Sequence, residues 1–448
     1  SAGRQMGSSF ATHSLDENYD WKDLTKQFNS SADLSPTGSQ MPRLLGLAQA
    51  SKIYKNLKVT GSEKFTDNGN EIAWGTIGDA STSEGHFFES INAAGVMQIP
   101  MIVSVWDDNY GISVPSEYQT TKGDISEVLK GFKKEKNSNG FEIFKVKGWD
   151  YVELMKTYEK AEQICRTEHV PVIVHVNELT QPLGHSTSGS HERYKSEERL
   201  KWEKDYDCIK KMRQWILDNN IISSKDLDKI EDDAKKFVLE SKLSAKRESL
   251  KETTNNINKL NSLFVNDIKS NNSDIQKILN DLNSIKEPNK RDLFTSTNAI
   301  LRELMLEKNP KVNIVRDWLS KLRVKTQYDY SSHLYSESAY NPSKIPLIKA
   351  KYDNNADSVD GRIILRENFK KILEKNDNVI IFGEDAGKIG GVNQGLEGLQ
   401  EIFGETRVFD TGIREATIIG QGIGLALRGL RPIAEIQYLD YLLYSIQL

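Results

Sequence analysis

Apolar positions over residues 1 to about 245 come in short runs that alternate between strand and helix spacing. Gly85–Gln98 reads as a helix, and Ile102–Val105 and Pro171-Val-Ile-Val-His-Val176 read as buried strands. This alternation predicts an α/β fold with a parallel sheet. From about 246 to 355 Lys, Asn, Ser and Glu dominate, and aliphatics recur at helical spacing (Ile257, Leu260, Leu263, Phe264; Ile278, Leu282, Ile285). One or two amphipathic helices are expected there, then a loose stretch around Tyr328–Asp360. Around Gly361 the alternation returns: a strand at Val379–Phe382, a helix at Leu399–Phe403, a strand at Arg407–Asp410, a helix from Glu415 and a strand through Ile433–Gln437. The expected organisation is 1–245, a helical connector at 246–355, and 356–448.

Composition narrows the function classes. The chain has 448 residues, 37% of them hydrophobic and 28% charged, with a net charge of −4. That suits two or three soluble domains, and nothing in it suggests nucleic acid or an acidic membrane surface as partner. Cys165 and Cys208 are too few for a disulfide framework, so a reducing cytoplasm is expected. No apolar run reaches membrane-spanning length. The opening Ser1-Ala2-Gly3-Arg4-Gln5-Met6 is not a natural start, and Leu448 falls just after a strand. Both outer domains are therefore expected to be incomplete, the first at its N-terminus and the last at its C-terminus.

Asp79 and Asp108 each end an apolar run and stand 29 residues apart. That is the length of a strand–helix–strand unit. It would set two carboxylates at the carboxyl ends of neighbouring parallel strands, where open α/β sheets bind ligands. Two hard oxygen ligands on a rigid edge, with room for phosphate oxygens, suit a magnesium ion that tethers a diphosphate.

Gly78-Asp79-Ala80-Ser81 followed by Asp108 resembles the diphosphate motif of thiamine-diphosphate enzymes, usually Gly-Asp-Gly with a later Asn. The text Ser81-Thr82-Ser83-Glu84-Gly85-His86-Phe87-Phe88-Glu89 is similar to the 2-oxoacid dehydrogenase component of that group. The resemblance implies a magnesium ion held by the Asp79 and Asp108 side chains and the Tyr110 carbonyl. It also implies Gly78, Ala80 and Ser81 as residues at the cofactor. Ala80 replaces the usual Gly, and Asp108 replaces the usual Asn and adds a negative charge.

Gly383-Glu384-Asp385, Gly390-Gly391, Asp410-Thr-Gly-Ile-Arg-Glu415, Gly429-Leu-Arg-Pro432 and Glu435-Ile-Gln437 resemble the second subunit of the same component. That subunit supplies a transketolase-like, pyrimidine-binding domain, so the resemblance implies two subunits fused in one chain. It places Glu415 on the pyrimidine ring nitrogen of thiamine diphosphate, Tyr441 against the pyrimidine, and Glu384 close by. The alternative for Glu415 is an acid that merely complements a helix macrodipole. Gly420-Gln-Gly422-Ile-Gly424 is not the dinucleotide fingerprint, because no glycine falls three after Gly422. Gly420 and Gly424 share a helix face and predict close helix packing.

Gly184-His185-Ser186-Thr187-Ser188-Gly189-Ser190 resembles the active-site loop of the branched-chain branch. There the counterpart of His185 faces the thiazolium, work that suits an imidazole titrating near neutrality. Gly189 and Ser190 stand where that loop usually carries two Asp, and Gln181 and Trp106 where arginines are common. Ser186 aligns with a kinase target in some relatives. Leu34-Ser35-Pro36-Thr37 resembles a loop beside the pyrimidine that in some relatives holds potassium, through Ser35 and Thr37.

The fold class expected is α/β, with two thiamine-diphosphate-binding-type parallel-sheet domains joined by the helical connector. The function implied is oxidative decarboxylation of a 2-oxoacid, with acyl transfer to the lipoyl group of a dihydrolipoyl acyltransferase partner. A branched-chain substrate such as 3-methyl-2-oxobutanoate is favoured, and a homodimer or larger assembly is implied. The alternatives are a pyruvate or 2-oxoglutarate dehydrogenase component, a carboligase resembling transketolase or deoxyxylulose-phosphate synthase, and a cofactor-dead scaffold of the same fold.

Overall fold

In the computed structural model, residues 14–448 are described except 17, 19, 28, 30–33, 35, 186–189, 265–272 and 332–340. The chain forms two compact units, Ser1–Asn219 with Asn354–Leu448, and Asn220–Asp353.

The first unit opens on α1 (Met41–Asn56), followed by β1 (Ala73–Gly78), α2 (Gly85–Met97) and β2 (Met101–Trp106). A short hairpin, β3 (Tyr110–Gly111) with β4 (Val114–Pro115), precedes α3 (Ile125–Val128) and β5 (Glu142–Lys147). Next come α4 (Tyr151–Glu168), β6 (Val172–Asn177), α5 (Glu197–Asp205) and α6 (Cys208–Asp218). The sheet runs β1-β2-β6-β5, parallel throughout. The central strands β2 and β6 are near-continuous apolar runs because both faces of the sheet are covered. Met101, Val103, Val105 and Ile173 pack with α1 and α2, whereas Ile102, Val172 and Val174 pack with Ala161 and Cys165 of α4.

The second unit is more than one or two helices and a loose tail. It contains α7 (Ser224–Ser262), α8 (Ser273–Ser284), α9 (Lys290–Leu306) and α10 (Val312–Ser331). These share a core of their own, with Leu260, Leu279, Leu282, Leu293, Ile300, Leu304 and Val315 buried. The unit begins at Asn220 rather than 246, because α7 starts where Ser223 caps the Asp226 N–H and runs through residue 245 without a break. Its first half is charged and exposed, so composition alone marks the change only where the apolar seam starts. Tyr328, expected in a loose stretch, lies in the last turn of α10. The expected looseness holds for residues 341–360, where the regular structure is one 3-10 turn, Pro342–Lys344.

The first unit resumes with α11 (Gly361–Lys375), β7 (Val379–Glu384), α12 (Leu399–Phe403), β8 (Val408–Thr411), α13 (Glu415–Leu427) and β9 (Arg431–Ala434). These strands form a second parallel sheet in the order β8-β7-β9. Both parallel sheets expected from the sequence are present.

Helix α1 lies between the two sheets of this unit. Leu44, Leu45 and Ala48 belong to the core of the first sheet, and Ala50, Ile53 and Tyr54 to a core shared with Ile380, Phe382, Ile418 and Leu425. Eleven of the 16 residues of α1 are buried, the polar Gln49 and Ser51 among them, because it is covered on most sides. Its contact with α13 is made by glycines, as the Gly420 and Gly424 spacing predicts. A Cβ on Gly420 would lie 2.3 Å from Pro42 Cβ, on Gly424 2.3 Å from the Arg43 carbonyl oxygen, and on Gly46 2.1 Å from the Gln421 carbonyl oxygen. The facing atoms are mostly backbone and cannot yield. Gly424→Val should therefore destabilise the chain by roughly 2 kcal/mol or more. A heat or urea denaturation curve superimposable on that of the wild type would show that the helices tolerate a wider crossing.

Candidate functional site

Gly78 pairs with Trp106 in the register of β1 and β2, so the next residues leave the sheet side by side. Asp79, Asp107 and Asp108 are all buried at this edge. Asp79 turns into the 3-10 turn Ala80–Ser83, where its carbonyl accepts from the Thr82 hydroxyl at 2.6 Å. Burial first, then the charges of Asp107 and Asp108, hold the Asp79 carboxyl well above the usual carboxylate range. Burial also raises Asp108, opposed by the Tyr110 N–H and by Lys195 and Arg199. A side chain at Gly78 would meet nothing within 4 Å, so the backbone is open there. Ala80 is tolerated because Gly111 faces it: a Cβ on Gly111 would lie 2.7 Å from Ala80 Cβ.

The sequence reading did not assign the groups that hold this edge in place. Asp107 accepts from the Asn109 N–H at 2.8 Å, and its Oδ2 lies 2.8 Å from His175 Nε2. His175 is fully buried on β6, with Nδ1 2.6 Å from Ser126 Oγ. On the other side Arg199 donates to the Asp108 carbonyl at 2.7 Å and is held by Glu203 at 2.9 Å. Lys195 donates to the same Glu203 oxygen at 2.7 Å and sits 4.8 Å from the centre of the Tyr110 ring. The i, i+4 spacing of Arg199 and Glu203 is a detectable signal, but a common one on solvated helices. His175 hides inside an apolar strand.

Asp79 and Asp108 offer carboxylate oxygens, the donor type that a hard divalent cation takes. Among the described residues no group of three or more His, Cys, Asp or Glu side chains is placed to hold a metal. The fit therefore rests on the Asp79 and Asp108 carboxylates alone.

The upstream loop comes to this motif. Thr37 Oγ1 donates to Glu84 Oε1 at 3.0 Å and contacts Ser81 Oγ, and the Gly38 N–H donates to the same glutamate oxygen at 2.9 Å. Ser35 lies outside the described residues. Glu84, His86 and Glu89 line a cavity of about 930 Å³ together with Glu415, Tyr444 and Gln447. Glu415 is the first residue of α13, and Glu89 fixes that turn by accepting from the Thr417 N–H at 2.8 Å. Glu384, at the end of β7, is raised by burial and then by Glu415 and Asp385. Glu435 is raised by burial and then by Asp385 and Glu384.

Of the expected site residues Glu415 lines this cavity, whereas the strand-edge residues, Thr37, Glu384, Tyr441 and His185 lie outside its lining. Tyr441 packs edge-on against Tyr438, with ring centres 5.4 Å apart, and is not part of the lining. His185 is exposed, next to Gly184 at φ +72°, and does not line the cavity either. Ser186–Gly189 lie outside the described residues. No helix among the described residues is long and apolar enough to cross a membrane.

Residues 5–254 match the family model of the dehydrogenase E1 component, and residues 357–447 match that of the transketolase pyrimidine-binding domain. A pyruvate dehydrogenase E1 component subunit beta of Acholeplasma laidlawii is 54% identical over 66 residues, covering 15% of this chain and 20% of that protein. A 2-oxoisovalerate dehydrogenase subunit beta of Pseudomonas aeruginosa is 48% identical over 77 residues, covering 17% of this chain and 22% of that protein. A solved transketolase from Pichia stipitis aligns with a TM-score of 0.45 and 12% identity, over 94% of this chain and 51% of that one. The chain spans about a fifth to a quarter of the length of the curated relatives it matches. It belongs to the dehydrogenase E1 component family, thiamine-diphosphate-dependent enzymes acting on 2-oxoacids.

The electrostatics of the strand edge can be tested without a ligand. The folded-state Asp79 carboxyl titrates above its unfolded value, so its charge opposes folding increasingly as pH rises from the ordinary carboxylate range. In chelator, Asp79→Asn should raise Tm by roughly 2–4 °C near pH 8, with the gain shrinking toward about pH 5. A gain independent of pH, or a loss, would contradict the repulsion.

Proposed function

We propose that this protein carries out thiamine-diphosphate-dependent oxidative decarboxylation of a 2-oxoacid and passes the acyl group to the lipoyl arm of an acyltransferase partner. The observation that carries the reading is one compact unit holding both the Asp79–Asp108 strand edge and Glu415 on α13, with Glu89 of α2 bonded to the first turn of α13. Asp79, Asp108 and the Tyr110 carbonyl would hold Mg²⁺, and through it the diphosphate, with Gly78, Ala80 and Ser81 alongside. Thr37 and Ser35 would border the pyrimidine, where a K⁺ ion is a further expectation. When bound, thiamine diphosphate supplies the electron sink for decarboxylation.

The chain's own groups have defined tasks in this reading. Arg199 and Lys195 steady the Asp108–Tyr110 turn against the negative charge gathered there. His175 orients Asp107 so that the three carboxylates keep their spacing. Glu415, kept at the first turn of α13 by Glu89, would donate or share a proton with the pyrimidine nitrogen, with Glu384 close by and Tyr441 expected against the ring. His185 would handle protons on the substrate side. A homodimer or larger assembly is a further expectation from the family resemblance. Branched 2-oxoacids are the favoured substrates, from the wording of the His185 loop and of Glu435-Ile-Gln437-Tyr438. Relatives named for pyruvate and for 2-oxoisovalerate both match, so pyruvate is the second reading.

Calorimetric titration of thiamine diphosphate with and without Mg²⁺ tests the cofactor assignment. Asp108→Ala should weaken Mg²⁺-dependent binding more than about tenfold, or 1.4 kcal/mol. Unchanged affinity would remove Asp108 from the metal site. Glu415→Gln should keep cofactor affinity within a few-fold while abolishing most exchange of the thiazolium proton followed by NMR; wild-type exchange would leave Glu415 as a helix-terminal acid only.

Substrate choice is tested by 2-oxoacid decarboxylation with an artificial electron acceptor. Specificity constants should rank 3-methyl-2-oxobutanoate above pyruvate and 2-oxoglutarate, since an apolar pocket gains about 0.8 kcal/mol per buried methylene. A preference for either competitor refutes the branched-chain assignment and leaves the cofactor chemistry standing.

A further inference from the structure

A second cavity, of about 680 Å³, opens between α1, α2 and the loops flanking β8, away from the Glu415 lining. Its size falls within the range of small-molecule sites. Arg414, immediately before Glu415, faces it and is 8% exposed. Among the described residues Arg414 Nη1 has no hydrogen-bond partner, and Nη2 reaches only the weak acceptor Met97 Sδ at 4.0 Å. Glu89 is the acid that acts on it electrostatically, yet Glu89 is committed to Thr417. Burial lowers the guanidinium to about 10, so it stays cationic at neutral pH. A buried, nearly unpartnered guanidinium is expensive, and such groups are normally matched by a bidentate oxyanion.

The rest of the wall suits that partner. Lys52 lines the cavity with one ammonium hydrogen given to the Met97 carbonyl at 2.6 Å, leaving two donors. Lys388 adds a cation at the exposed rim. Thr411 Oγ1 is buried with no partner among the described residues and can donate. Two acids also line the space. Asp410 is occupied by the N–H groups of Gly387 and Lys388 at 2.7 and 3.0 Å, and Glu405 is exposed at the rim. The unsatisfied donors therefore lie on the floor and the acids toward solvent.

We infer that this cavity binds a small organic oxyanion, a phosphomonoester or a carboxylate, clamped by Arg414 with Lys52, Thr411 and Lys388. The site is separate from the cofactor cavity, and because Arg414 and Glu415 are consecutive, its occupant adjoins the first turn of α13.

Thermal-shift and calorimetric titrations of the chain with inorganic phosphate and with malonate, against chloride at equal ionic strength, test the inference. Saturable stabilisation by phosphate alone points to a phosphomonoester, and by malonate to a carboxylate. Arg414→Gln should weaken binding about tenfold or more, and Lys388→Gln, at an exposed position where folding is not at risk, about threefold. Lys195→Gln serves as the control for binding at the strand edge and should leave anion affinity unchanged. No stabilisation beyond chloride, equal affinity in the Arg414 and Lys388 variants, or loss in Lys195→Gln alone would each overturn the assignment.

Discussion

The close crossing of α1 and α13 is the constraint on which the rest of this unit depends. Three glycines let backbone meet backbone, and no side chain larger than hydrogen fits at Gly46, Gly420 or Gly424 without displacing a carbonyl or a proline ring. The crossing brings the two parallel sheets onto opposite sides of α1 and sets the first residue of α13 beside α2. Polar contacts then lock it. Gln421 donates to Gln49 at 2.6 Å inside the interface, and Arg428 at the far end of α13 donates to Glu71 at 2.7 Å and to the Phe65 carbonyl at 3.1 Å. A buried amide pair of this kind has little tolerance for sliding, because any shift leaves an unpaired polar group.

Electrostatic strain marks the functional edge. Three buried aspartates at the ends of β1 and β2 are held together by packing and by cations on one side, Lys195 and Arg199, rather than by mutual preference. Like charges kept close in a poorly solvated place are characteristic of functional sites. Asp108 adds to this, and the Arg199–Glu203–Lys195 network is the local compensation. Where the crossing decides geometry, these charges decide chemistry.

Much of the strand-end site could be read directly from the chain. The distance between Asp79 and Asp108, with apolar runs before each, dictates neighbouring strand ends once the sheet is parallel, and the register of Gly78 with Trp106 bears out that reading of the spacing. Gly420 and Gly424 were legible as a packing face because four-residue spacing puts them on one side of a helix. His175, Glu89, Lys195 and Arg199 were not. His175, Glu89 and Arg199 act on partners 68, 328 and 91 residues away, and nothing local distinguishes a histidine in a buried strand or a glutamate on a helix from thousands of others.

The period of each element, the order of strands and helices along the chain, and the residue types able to hold a cation are legible in the chain, because these are local consequences of side-chain spacing and chemistry. The sequence also marked a change of character after 245, but not where the helical unit begins, since an exposed charged half-helix looks the same as a connector. Tertiary structure alone decided that α7–α10 close around a core, that Glu89 rather than the residues next to Glu415 fixes the first turn of α13, and that Arg414 faces a cavity with its Nη1 unpartnered. Those outcomes depend on which surfaces meet, and desolvation and hydrogen-bond pairing are settled only when they do.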